Sequence, residues 1–113
     1  MLIEHLSLTK VTSAILVAAG APSVHADAVA HHLVEANLKG HDSHGVGMVP
    51  SYVKGIMDQH VDPHRHAQII KDNGAIVSID AGTGLGRVVG IEAMDFGVER
   101  TKTVSYTHLT LPT

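Results

Sequence analysis

The run Gly40-His41-Asp42-Ser43-His44-Gly45-Val46-Gly47-Met48-Val49-Pro50 constrains this 113-residue chain more than any other feature. Glycine tolerates positive φ, admits close approach to the main chain and weakens a helix interior. A helix reaching Leu38 therefore stops at Gly40, and Pro50 suits the first turn of a new one. Between them lies a short corner holding two imidazoles, a carboxylate and a hydroxyl. Histidine, with a reference pKa of about 6.5, is the side chain that exchanges protons most readily near neutrality. Reactive side chains held between permissive backbone positions make this corner a candidate active site.

Periodicity supplies the supports on either side. Ser7 is a suitable cap for a first helix whose apolar positions Leu8, Val11, Ile15 and Ala19 recur at helical spacing, with Gly20 as its stop. A second helix starts near Pro22 or Ser23, with Asp27 early enough to complement the dipole. Its stripe is Ala26, Val29, Ala30, Leu33 and Asn37, and it ends at Lys39 and Gly40. The spacing predicts a third, shorter helix from Val49 to Asp58, with Val49, Tyr52, Val53 and Ile56 on its apolar side. Residues 59–66 form a polar connection containing Pro63. Ala67–Lys71 and Ala75–Asp80 then flank Asp72-Asn73-Gly74, and Asn-Gly between apolar runs signals a hairpin. A glycine-rich turn leads to a last helix from about Leu85 to Lys102. The fold class is α/β in the mixed α+β sense: N-terminal helices, a β-hairpin and a following helix.

Composition narrows the function classes. A formal charge of −3 and a pI near 6.3 argue against a nucleic-acid footprint, so no nucleic acid is expected as partner. No apolar run is long enough to span a bilayer, so no membrane association is expected. Zero cysteines exclude disulfides and thiolate chemistry. The opening Met1-Leu2-Ile3-Glu4-His5 lacks the basic start and apolar core of a secretory signal, and a cytoplasmic location is expected. Only 3% of residues are aromatic, so large rings contribute little to a core, and the chain reads as a marginal or incompletely folded fragment.

Several chemistries compete for the corner. His44 is the leading candidate for proton exchange, and the alternative is a histidine that closes the loop by bonding to backbone. On the residues alone that alternative leads. Ser43 is placed to touch substrate or to orient His44, and Asp42 to cap the following turn. A serine-nucleophile triad is unattractive, because triads assemble from separated positions. His41 and His44 as metal ligands form a weaker reading, since their spacing departs from the His-Glu-x-x-His pattern; no metal is expected. Gly82-Thr83-Gly84-Leu85-Gly86 follows a strand and opens a helix, but it is no Gly-x-Gly-x-x-Gly fingerprint. It reads as a strand-to-helix turn for close packing, with Arg87 a minor phosphate candidate.

The stretch from Asn37 to Val53 resembles the N-terminal signature of the type-2 malate/L-lactate dehydrogenases, and Gly-Met-Val-Pro-Ser-Tyr most resembles their hydroxycarboxylate dehydrogenase B subgroup. Weaker agreement runs from about Leu6 to Arg100. The resemblance implies a partial piece of the non-Rossmann fold of that family, in an oxidoreductase that transfers a hydride between NAD or NADP and a 2-hydroxy or 2-oxo acid. It implies that His44 contacts the cofactor and exchanges a proton with substrate oxygen, with Ser43 beside it. A homodimer is implied for the full-length enzyme, and the fragment as given is expected to be inactive alone. With the resemblance, the proton-exchange reading of His44 leads. Met48 departs from many members, which carry arginine there; methionine cannot clamp a carboxylate through paired hydrogen bonds. This leaves room for a more apolar 2-oxo acid, such as an aryl pyruvate. The competing readings are a non-catalytic fragment or small helical interaction module, and a His-based metal-binding protein.

Residues 1–103 read as the dehydrogenase fragment and 104–113 as a non-native tail. The segment Val104-Ser105-Tyr106-Thr107-His108-Leu109-Thr110-Leu111-Pro112-Thr113 resembles the conceptual translation of a transposon-based sequencing adapter, and Thr103 fits the same reading. The alternative is a natural Thr-rich strand. Sequence of artificial origin is set aside before fold reasoning.

Overall fold

A computed structural model describes residues 2–102. The tail reading and its strand alternative lie outside the described residues. In chain order the elements are α1 (His5–Ala19), α2 (Ser23–Leu38), two short 3-10 turns (Asp42–His44 and Val46–Met48), α3 (Val49–Met57), β1 (Gln68–Asn73), β2 (Ile76–Asp80) and α4 (Gly86–Thr101). This is the expected mixed α/β content: four helices and a two-stranded antiparallel hairpin among the described residues. The chain divides between His64 and Arg65 into two compact units.

In the first unit α1 packs on α2 and on α3. Its core gathers Leu16 from α1, Ala26, Val29, Ala30, Leu33 and Val34 from α2, and Val49 and Ile56 from α3. The stripe expected for α2 is largely found there; of that expected for α3, Val49 and Ile56 are buried and Tyr52 and Val53 are half-buried. The stripe expected for α1 is not found: Thr9, Thr12 and Leu16 are buried, whereas Val11 and Ile15 are exposed. The buried face is rotated by about one residue, and Thr9 tolerates burial because its hydroxyl donates to the His5 carbonyl at 2.8 Å.

Capping also differs from expectation. Glu4, not Ser7, caps α1, its carboxylate accepting from the backbone N–H of Leu6 at 2.9 Å and of Ser7 at 2.8 Å. Ser7 donates its own hydroxyl to the same carboxylate at 2.9 Å. A carboxylate reaches farther than a serine hydroxyl, so the helix begins at His5. These bonds, the Leu6 amide first, hold the Glu4 carboxyl below its usual range. Asp27 of α2 accepts from the Ser13 hydroxyl of α1 and thereby ties the two helices.

All three helices of this unit end alike. Gly20 N–H donates to Val17 and Ala21 N–H to Leu16; Gly40 N–H donates to Asn37 and His41 N–H to Ala36; Gln59 N–H donates to Ile56 and His60 N–H to Gly55. Each pair is a Schellman ending, which needs a positive φ at its central residue. Those φ values are 125° at Gly20, 82° at Gly40 and 61° at Gln59. Buried His25 reaches the Pro63 carbonyl at 2.7 Å through Nδ1, which must be the donor, and so pins the connection after α3.

In the second unit β1 and β2 pair with Gln68 opposite Asp80 and Asn73 opposite Ile76, and a bulge falls between Ile69 and Lys71. The loop is therefore Gly74-Ala75, one residue later than the expected Asn-Gly turn. Positive φ occurs at Gly74 (71°) and not at Asn73, the pattern of a II′ turn with glycine in its first central position. α4 buries Val88, Val89 and Ala93. At Gly84 an added β-carbon would lie 2.9 Å from Val89 and 3.1 Å from the Ala81 carbonyl. The glycine-rich turn thus serves close packing, as expected. No helix among the described residues is long and apolar enough to cross a membrane.

Candidate active site

The glycine-bracketed corner is built on the end of α2. The Schellman ending turns the chain at Gly40 and delivers His41 to the start of the first 3-10 turn, where the His41 carbonyl accepts from His44 N–H at 2.9 Å. The second turn closes with Met48 N–H on the Gly45 carbonyl at 3.0 Å and passes directly into α3. The corner is thus tethered at both ends to helices of one unit.

Ser43 and His44, the two sequence-predicted site residues, meet: Ser43 Oγ lies 3.0 Å from His44 Nδ1. Both are exposed. A hydroxyl can donate or accept, so it suits either protonation state of Nδ1. With Nδ1 engaged, Nε2 is the ring atom left to exchange a proton with an incoming group. Gly47 leaves open space: an added β-carbon there would meet nothing within 4 Å.

Other candidates fall elsewhere. Asp42 does not cap the following turn; its Oδ1 accepts from Asn37 Nδ2 at 2.8 Å. His41 enters through its backbone. Met48 is half-buried in the second turn, Tyr52 is half-buried on α3, and Arg87 is exposed in the first turn of α4, in the other unit. Among the described residues no three His, Cys, Asp or Glu side chains gather as a metal site requires.

Asn37 is the residue that periodicity misplaced. It falls on the α2 stripe by spacing, yet its amide is spent on the corner, donating to Asp42 and accepting from Val46 N–H at 2.8 Å. Its polarity was the available signal, since an amide on an apolar stripe next to a helix stop needs partners.

The malate/L-lactate dehydrogenase family matches residues 3–111. The chain belongs to that family. Within it, the hydroxycarboxylate dehydrogenase B of Escherichia coli O157:H7 is 46% identical over 81 residues, which are 72% of this chain and 22% of that protein. The L-sulfolactate dehydrogenase of Methanocaldococcus jannaschii is 36% identical over 85 residues, 75% of this chain and 25% of that one. Among solved structures, the malate dehydrogenase of Pyrococcus horikoshii superposes with a TM-score of 0.86 at 32% identity, covering 92% of this chain and 30% of its own. The chain therefore spans about a quarter of the length of these malate/L-lactate dehydrogenase relatives.

Proposed function

We propose that this chain serves as the N-terminal part of an NAD- or NADP-dependent oxidoreductase that interconverts 2-hydroxy and 2-oxo acids, with His44 moving the proton. The single observation that carries this reading is the exposed His44 ring with Ser43 on its Nδ1. Family membership supplies the reaction class, since the relatives bear dehydrogenase names. The exposed imidazole leaves His44 accessible to the reactive end of a nicotinamide, with His44 its contact in this chain. When bound, a nicotinamide supplies or accepts the hydride at the substrate's second carbon.

The proton falls to His44. During reduction an imidazolium donates Nδ1–H to Ser43 Oγ and presents Nε2–H to the substrate carbonyl oxygen. As alkoxide character develops on that oxygen, Nε2 releases its proton to it and a hydroxyl results. The ring is left neutral, with Nδ1–H still on Ser43. During oxidation the free Nε2 accepts the hydroxyl proton in return. Ser43 thus sets which ring nitrogen reacts, and a positioned acid of this kind is worth about 10²–10⁴ in rate. Met48, in the second turn of the corner, is apolar and cannot bond a second carboxylate, which favours an aryl pyruvate over oxaloacetate. The reading includes a cytoplasmic location and a homodimer, the latter being the state that the family resemblance implies.

Absorbance assays on the full-length enzyme test this. NADH or NADPH should be oxidised in the presence of 2-oxo acids, with kcat/KM higher for an aryl pyruvate than for oxaloacetate. Absence of turnover with every 2-oxo acid would refute the assignment.

A further inference from the structure

One amide holds both ends of the arch that carries His44. Asn37 Nδ2 donates to Asp42, two residues before His44, and Asn37 Oδ1 accepts from the N–H of Val46, two residues after it. The backbone carbonyl of the same residue accepts from Gly40 N–H at 3.0 Å, which closes the helix end beneath. The amide has one productive orientation. Flipped, it would set its NH₂ against the Val46 N–H and its oxygen against the Asp42 carboxylate. The fit is tight as well: an added β-carbon at Gly45 would lie 2.2 Å from Asn37 Oδ1 and 2.4 Å from Nδ2. An arch of five residues fixed at both feet has little freedom to re-aim its central ring.

We propose that Asn37 is a positioning residue for His44, fixing the two feet of its arch so that Nε2 meets the substrate oxygen in one geometry. The inference rests on the proton role given to His44 above. Misplacing a catalytic group by about 1 Å costs on the order of 10² in rate, and the one side chain of Asn37 bonds to both Asp42 and Val46.

The test exploits the donor–acceptor polarity of the bridge in the full-length enzyme. Asn37→Asp keeps an acceptor for Val46 N–H but sets a carboxylate against the Asp42 carboxylate, breaking one foot. Asn37→Asp together with Asp42→Asn reverses donor and acceptor and rebuilds it. The single variant should lose about 10² in kcat with little change in KM, and the reversed pair should recover most of that loss. A reversed pair as slow as the single variant, or a single variant with wild-type kcat, overturns the proposal. The amide resonance of Val46 supplies an independent readout: it should shift in Asn37→Ala and in no comparable way in His44→Ala. If His44→Ala turned over normally, the proton assignment would fall, whereas an unmoved Val46 amide in Asn37→Ala would overturn the clamp itself.

Discussion

At the scale of single residues, the corner depends on who gives and who takes each hydrogen bond. Ser43 can serve His44 in either protonation state because a hydroxyl does both. Asn37 serves Asp42 and Val46 because its two ends differ. Gly45 is buried against that amide, so Gly45→Ala should destabilise the protein by about 1–3 kcal/mol, the range for overpacking. Denaturant titration would measure it, and an unchanged midpoint would contradict the tight contact. Ser43 and His44 could be picked out in the sequence because their chemistry is local: adjacent reactive groups between glycines. Asn37 was missed although its polarity was a signal, because helical spacing assigned it to the core and its partners lie five and nine residues on. Asp42 was misread for the same reason, its partner lying backward on α2 rather than forward in the turn.

At the scale of elements, helix ends decide where the corner sits. Two of the three Schellman endings in the first unit use glycine, which enters the left-handed region freely; the third uses Gln59 at φ 61°. A β-carbon there costs about 1–2 kcal/mol, partly offset by the extra unfolded freedom of glycine. Gln59→Gly should therefore stabilise the unit by about 0.5–1 kcal/mol, read as a higher denaturation midpoint; a lower midpoint would show that Gln59 is not strained. The other end of the first unit is sensitive to acid. Because its hydrogen bonds lower the folded pKa of Glu4, its contribution is complete above the ordinary glutamate range and is lost as pH falls through the lowered folded value. Helical chemical shifts of Leu6 to Thr9 should weaken over that fall and should not do so in Glu4→Gln. Helix stops were legible because glycine marks them, and the start was not, because the Glu4 carboxylate takes the Leu6 and Ser7 amides and opens the helix before Ser7 can cap it. The hairpin was legible from Asn73-Gly74, but its register moved by one residue, since a II′ turn needs positive φ only at its first central position.

At the scale of the whole molecule, the chain is two units, one of which carries the complete His44 corner on its own helices. Family membership was legible in the continuous run from Asn37 to Val53 and is matched over residues 3–111. Burial was the least legible property. Val11 and Ile15 continue a helical stripe and yet stand exposed, because an apolar stripe expresses a need for cover and not its presence. About three quarters of the length of the relatives lies outside what this chain covers, so the proposed chemistry is a property of the longer enzyme, with this chain contributing the proton-handling ring. The measurement that bears most directly on that contribution is the single-turnover rate of 2-oxo acid reduction by the full-length enzyme with His44→Ala. That rate should fall by about 10²–10⁴, and by less in Ser43→Ala; a His44→Ala rate equal to wild type would contradict the proton role of His44.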